Sequence, residues 1–270
     1  MPIPVPTDLT ADSNPSISSL PWIGAWWGIL IVGGFYLIQG VGTLAVQVIA
    51  ALGMGLTEGL GDDMMVSDPG VQVWVLPLSL ILSTLAAFKI CLWMTKRFSP
   101  PEHGLRWLNE LVWNSDLNLQ HYCILGIGVG ILFNLLTLYV APPPEDLPQP
   151  LVEAMLSSPF LMQLGWVFLM AGALPVIEEV LFRGVLYTGF KQSWGPAVAF
   201  VLTTAVFVAF HMPKVLQYWP AAASVTLLGS FLLWIRIRTS SLAPGMVFHV
   251  SYNGLLMGVA LVSHHWFSHS

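Results

Sequence analysis

The sequence predicts an all-α, polytopic transmembrane helix bundle of about seven spans, with six and eight as bounds, and three observations predict it. Only 9% of the 270 residues are charged and 56% are hydrophobic, against roughly 25% charged in an ordinary soluble domain. Such a surface could not stay in water. Apolar runs of nearly spanning length tile the chain, whose mean hydropathy is +0.75, and the basic residues are sorted among the loops. The same composition excludes a disordered chain and a collagen-like fibre. Nine Lys and Arg leave no phosphate-tracking patch, so no nucleic-acid partner is expected; the membrane lipids are the expected surroundings.

The polar stretch 1–19 contains no Lys or Arg, so the basic start of a secretory signal is missing and no cleavage is expected. Apolar runs follow at 20–52, 71–95, 122–141, 159–177, 195–210, 219–235 and 242–262. The first is long enough for one tilted helix or for a hairpin turning near Gly40 and Gly42. Cys91 and Cys123 each lie inside a run and read as small hydrophobes. Residues 104–113 (GLRWLNELVW) space Leu105, Leu108, Leu111 and Val112 as a helix lying in the inner interface would. The proline-rich stretch 141–150 reads as a stiff outer connector. Gly126 and Gly130 are spaced for close helix contact. The chain thus divides into a tail (1–19), N-terminal membrane helices (20–150), a C-terminal membrane core (151–263) and a second tail (264–270).

Lys96, Arg97, Arg106, Lys191, Arg236 and Arg238 follow the second, fourth and sixth runs, while Lys and Arg are absent from the loops after the first and third. Seven crossings then place the N-terminus and the basic loops in the cytoplasm, with Lys214 dissenting. A multi-pass protein of the cell (inner) membrane is expected, with a thylakoid or other internal membrane as the alternative.

Ionisable residues inside hydrocarbon carry the most information, since each costs about 2.5–3.5 kcal/mol at a helix centre even on a gentle scale. Three groups stand out: Glu178, Glu179 and Arg183; His211, four residues after Phe207; and His249, four before Asn253. Residues four apart share a helix face, whereas neighbours diverge by about 100°. Glu179 therefore pairs with Arg183, and Glu178 must find partners on other helices. One acid and one base would suffice to fix helix packing, so the surplus carboxylate points to a site. A carboxylate, two imidazoles and an amide converging between helices can hold a divalent metal or deprotonate a water. Phe207 reads as packing.

In this order, Glu178-Glu179-x-x-x-Arg183, Phe207-x-x-x-His211 and His249-x-x-x-Asn253 resemble the motif set of the CAAX-protease and bacteriocin-processing family of intramembrane proteases, over roughly residues 160–260. The resemblance implies peptide-bond hydrolysis within the membrane, with a peptide or protein substrate, prenylated or not. It implies that Glu178 activates the attacking water, that His211, His249 and Asn253 surround it, and that Glu179 and Arg183 are partly structural members of the same catalytic set. Members have been described as glutamate-dependent and as metal-dependent. Zn2+ on Glu178, His211 and His249 therefore stands beside a carboxylate acting alone, although the HExxH pattern of many zinc enzymes is missing.

Other readings compete. A proton-coupled transporter could use Glu178, His211 and His249 as a relay, but no inverted repeat supports it. A membrane scaffold or immunity protein could keep the motifs for packing alone. Gly59-Leu60-Gly61-Asp62 matches a GxGD signature, yet it sits in an acidic loop without a Tyr-Asp partner and reads as a turn. His264, His265 and His269 read as a solvated tail. One difficulty concerns depth. Counted along straight helices from the inner face, His211 lies about 24 Å in and His249 only about 10 Å.

Overall fold

The computed structural model describes residues 24–58, 69–98, 118–140, 142, 150–211 and 218–267. Among them the chain is almost entirely helical, without a strand, and six helices are long and apolar enough to cross a membrane. The protein is an integral, multi-pass membrane protein. The helices are α1 (Ala25–Glu58), α2 (Pro69–Phe98), α3 (Leu119–Val140), α4 (Pro150–Leu156), α5 (Phe160–Val167), α6 (Leu174–Glu178), α7 (Tyr187–Trp194), α8 (Pro196–Phe210), α9 (Trp219–Thr239) and α10 (Ala243–Phe267). Two π-helical segments, π1 (Phe168–Ala173) and π2 (Glu179–Leu186), join α5, α6 and α7 into one composite helix.

The fourth apolar stretch, Phe160–Phe210, runs 51 residues, about 75 Å of helix at 1.5 Å per residue and far more than one crossing of a ~30 Å core. Gly195 divides it. Its φ of +82° is open to glycine and strained for most other residues. Pro196 then starts α8, which folds back along α7. The stretch is thus two arms, the second of them short, within one of the six candidate spans, the lower bound of the six to eight expected.

The first apolar run is one helix, so the hairpin near Gly40 and Gly42 does not form. α1 packs on α2, and Gly42 lets Ser83 come close. Its start is tied to α7 by the Ala25 N–H donating to Ser193 Oγ at 2.9 Å. α1 then runs antiparallel to the composite helix, with Gly28 against Leu186 and Tyr36 near Phe182. Gly126 and Gly130 act as expected, since a side chain on either would strike α10 at Phe248 and Leu255. The core seam joins Ile31, Phe35, Phe182, Leu186, Phe207 and Leu233. α10 extends through Phe267, so His264 and His265 lie on a helix, and His265 hydrogen-bonds Gln163 Oε1 at 2.9 Å. The expected interfacial helix 104–113, the GxGD turn, Lys214 and His269 lie outside the described residues.

Candidate functional site

The site forms where π2, α8 and α10 meet. In a helix with π-type turns Glu179 and Arg183 still share a face, and Arg183 Nη1 lies 3.2 Å from Glu179 Oε1. This is the pairing that spacing predicted. The guanidinium also donates from Nη2 to the Gly229 carbonyl at 3.2 Å and lies over the Phe207 ring at 4.3 Å. Gly229 makes this possible, because a Cβ there would come within 2.9 Å of Phe207. A cation desolvated by protein thus has a carboxylate, a carbonyl and a ring face as partners.

His249 stands between the two glutamates. Its Nδ1 is 3.1 Å from Glu179 Oε1 and its Nε2 is 3.9 Å from Glu178 Oε2. A carboxylate can only accept, so with Glu179 ionised Nδ1 is the donor and Nε2 is the nitrogen turned toward Glu178. The second separation is too long for a hydrogen bond. The two carboxylates also differ in access: the Glu178 side chain is 18% exposed and that of Glu179 only 1%. Glu179 is enclosed because the first turn of α10 closes on it, with Gly245 leaving 3.1 Å between its Cβ position and Glu179 Oε2.

The depth difficulty disappears here. Neighbouring helices pack around the start of α10, where Ser241, Leu242 and Ala243 are buried. Phe207 consequently contacts both imidazoles, with ring centroids 4.6 Å from His211 and 6.5 Å from His249. His211 ends α8 and donates from Nδ1 to the Phe207 carbonyl at 2.8 Å. That bond fixes its tautomer, because a carbonyl has no proton to give.

Asn253 does something sequence reasoning did not foresee. It lies one turn beyond His249, yet its Nδ2 donates to the Met170 carbonyl of π1 at 3.2 Å. A second residue was missed because it lies far upstream. Tyr36 of α1 stacks on Phe210 at 4.0 Å between centroids and lies 6.2 Å from Phe182, and it is within electrostatic range of Glu178 and Arg183. It also walls a lateral groove of about 430 Å³ with Gln39, Thr43, Gln47 and Leu80. The signal was present: Tyr36, Gln39, Gly40, Thr43 and Gln47 form a polar stripe at helical spacing inside the apolar span of α1.

The donor set expected for Zn2+ is not assembled. Among the described residues no three His, Cys, Asp or Glu side chains gather closely enough to hold a metal ion. His249 gives Nδ1 to Glu179 and His211 gives Nδ1 to a backbone carbonyl, which leaves Nε2 as the ligating nitrogen of each ring.

Fold and site together define a class: a membrane helix bundle whose C-terminal helices enclose an ionisable cluster that α1 flanks. Within that class, residues 159–255 match the family model described as Rce1-like, type II CAAX prenyl endopeptidase Rce1-like. The match spans α5 to the middle of α10 and contains all three motifs, as their resemblance implied, and α1, α2 and α3 lie outside it. No curated protein and no solved structure matches the chain.

Proposed function

We propose that this protein is an intramembrane endopeptidase that hydrolyses a peptide bond of a small or membrane-anchored substrate, with prenylated CAAX-type chains as the substrate class to try first. The observation that carries the reading is the division of labour between adjacent carboxylates. Glu179 is enclosed and neutralised by Arg183, while Glu178 is partly exposed and 3.9 Å from an imidazole nitrogen. A water about 2.8 Å from each would sit at the apex of a triangle on that base. In that position Glu178 takes a proton as the water oxygen attacks the scissile carbonyl carbon.

Charge then accumulates on the carbonyl oxygen. The His249 imidazole, 3.9 Å from Glu178, is the side chain beside that oxygen and can stabilise it. When the tetrahedral species collapses, the C–N bond breaks and Glu178 returns its proton to the leaving nitrogen. His211, held by its Nδ1 bond, flanks the same space across Phe207. The groove beside Tyr36 offers substrate and water a way in from the lipid side.

The test uses purified protein in liposomes with a reporter peptide carrying a prenylated cysteine followed by two aliphatic residues and a C-terminal residue. Glu178→Gln should lower turnover by about 10³-fold, within the range for a lost general base, without shifting the thermal midpoint. Unchanged turnover in Glu178→Gln would remove Glu178 from the reaction.

A further inference from the structure

Two arginines are buried in the helix bundle, and among the described residues only one of them has a counter-charge. Arg183 is met by Glu179, the Gly229 carbonyl and the Phe207 ring. Arg236, about two turns beyond Gly229 on the same face of α9, is 9% exposed and takes part in none of the ion pairs there. Of its nitrogens only Nε is fully enclosed, and that atom has no hydrogen-bond partner. A guanidinium taken out of water without an anion costs several kcal/mol. The neighbouring sequence cannot supply one, because no Asp or Glu follows Glu179, whereas Arg183, Lys191, Lys214, Arg236 and Arg238 all do.

Position decides which anion can reach it. The chain reverses at Gly195 between α7 and α8, and near the other end of α8 Phe207 packs on Gly229 of α9. α9 therefore returns toward the Gly195 reversal, which puts Arg236 and Arg238 of its last turn on the side where Lys191 ends α7. The start of α1 is on that side too, through the bond from Ala25 to Ser193. Trp26, Trp194 and Trp234 stand exposed at this end of the bundle, and the Arg238 guanidinium lies 5.7 Å from the centroid of the Trp234 ring. Exposed tryptophans near the ends of spanning helices mark the headgroup level. Phosphate is the anion of that level, and its oxygens match the planar fork of an arginine. We infer that Arg236 binds the phosphate of an anionic membrane phospholipid, with Lys191 and Arg238 adding to the positive potential around it, as basic sites between membrane helices do. Nothing in this depends on the peptidase reading.

The test titrates the full chain, delipidated in detergent, with phosphatidylglycerol, and reads binding by native mass spectrometry and stability by thermal midpoint. Wild-type protein should bind this lipid in preference to phosphatidylcholine and gain midpoint as it binds. Arg236→Met should weaken binding by at least about thirtyfold, as expected when one partner of a buried charge pair is removed. Arg238→Met should weaken it only about fivefold, the effect of one surface charge. Arg236→Lys, which keeps the charge and loses the fork, should fall between wild type and Arg236→Met. Without lipid, Arg236→Met should melt no lower than wild type, since it removes a buried charge that then has no partner. Phosphatidylglycerol binding unchanged in both Arg236→Met and Arg236→Lys overturns the inference. So does a lipid-free midpoint that falls in both, because the guanidinium would then be neutralised by the protein itself. Inorganic phosphate that raises the wild-type midpoint as much as the lipid would make the ligand a free anion and overturn the lipid assignment.

Discussion

The contact between α1 and α2 and the contact between π2 and α10 both place polar side chains inside the membrane-spanning body, and they use them differently. Between α1 and α2 the groups are neutral and pair one to one: Gln39 Nε2 donates to Thr84 Oγ1 at 2.8 Å, and Thr43 and Ser83 share a hydrogen bond of 2.8 Å. Such pairs average about 0.6 kcal/mol in a membrane bundle. Where the α6–π2 junction meets α10 the groups are ionisable and unequal in number, two carboxylates meeting one guanidinium and one imidazole. The comparison teaches that polarity alone does not mark a site in lipid. An unbalanced set that keeps one member accessible does.

Substitutions can break or sharpen this contrast. The largest effect is expected from Arg183→Met, which strands Glu179 in a closed environment. Removing one partner of a buried pair costs about 3–5 kcal/mol, so the thermal midpoint should fall steeply, and Glu179→Gln in the same chain should recover part of it. A midpoint unchanged by Arg183→Met would show that the pair does not hold the helices. Next comes Gly229→Ala, whose new methyl meets Phe207. Because Phe207 also carries Arg183 on its face and contacts both imidazoles, turnover should drop more than stability. An equal loss of both would reduce Phe207 to packing, the role its sequence position suggested.

Tyr36→Phe sharpens the contrast from the other side, since it keeps the stack on Phe210 and removes only the hydroxyl. A loss of kcat several-fold, with stability retained, is expected in the same reporter assay. The smallest effect belongs to Thr43→Val, which loses one neutral hydrogen bond and should cost about 0.6 kcal/mol, with turnover intact. Loss of turnover in Thr43→Val alone would mean that the α1–α2 contact also serves the chemistry.

Much of this was legible in the residues. The apolar runs, the Glu179–Arg183 pair and the close packing at Gly126 and Gly130 follow from spacing, because helical periodicity and hydrocarbon thickness fix them. The depth of His249 was not legible. Hydropathy marks where apolar residues begin, and it does not fix how the helices tilt against one another. The π turns at Phe168–Ala173 and Glu179–Leu186 were also hidden, although Pro175 warned that the backbone pattern must be repaired by something. Tyr36 was invisible to the three motifs, since only folding brings α1 against a helix about 140 residues downstream.

The central claim is that neighbouring glutamates have separate tasks, one chemical and one structural. Thermal midpoint and reporter turnover, measured side by side on Glu178→Gln and Glu179→Gln, test it most directly. The account predicts that Glu178→Gln keeps its midpoint and loses turnover, while Glu179→Gln loses midpoint and retains part of its turnover. The reverse pattern, a destabilised Glu178→Gln beside an inactive but stable Glu179→Gln, would contradict it.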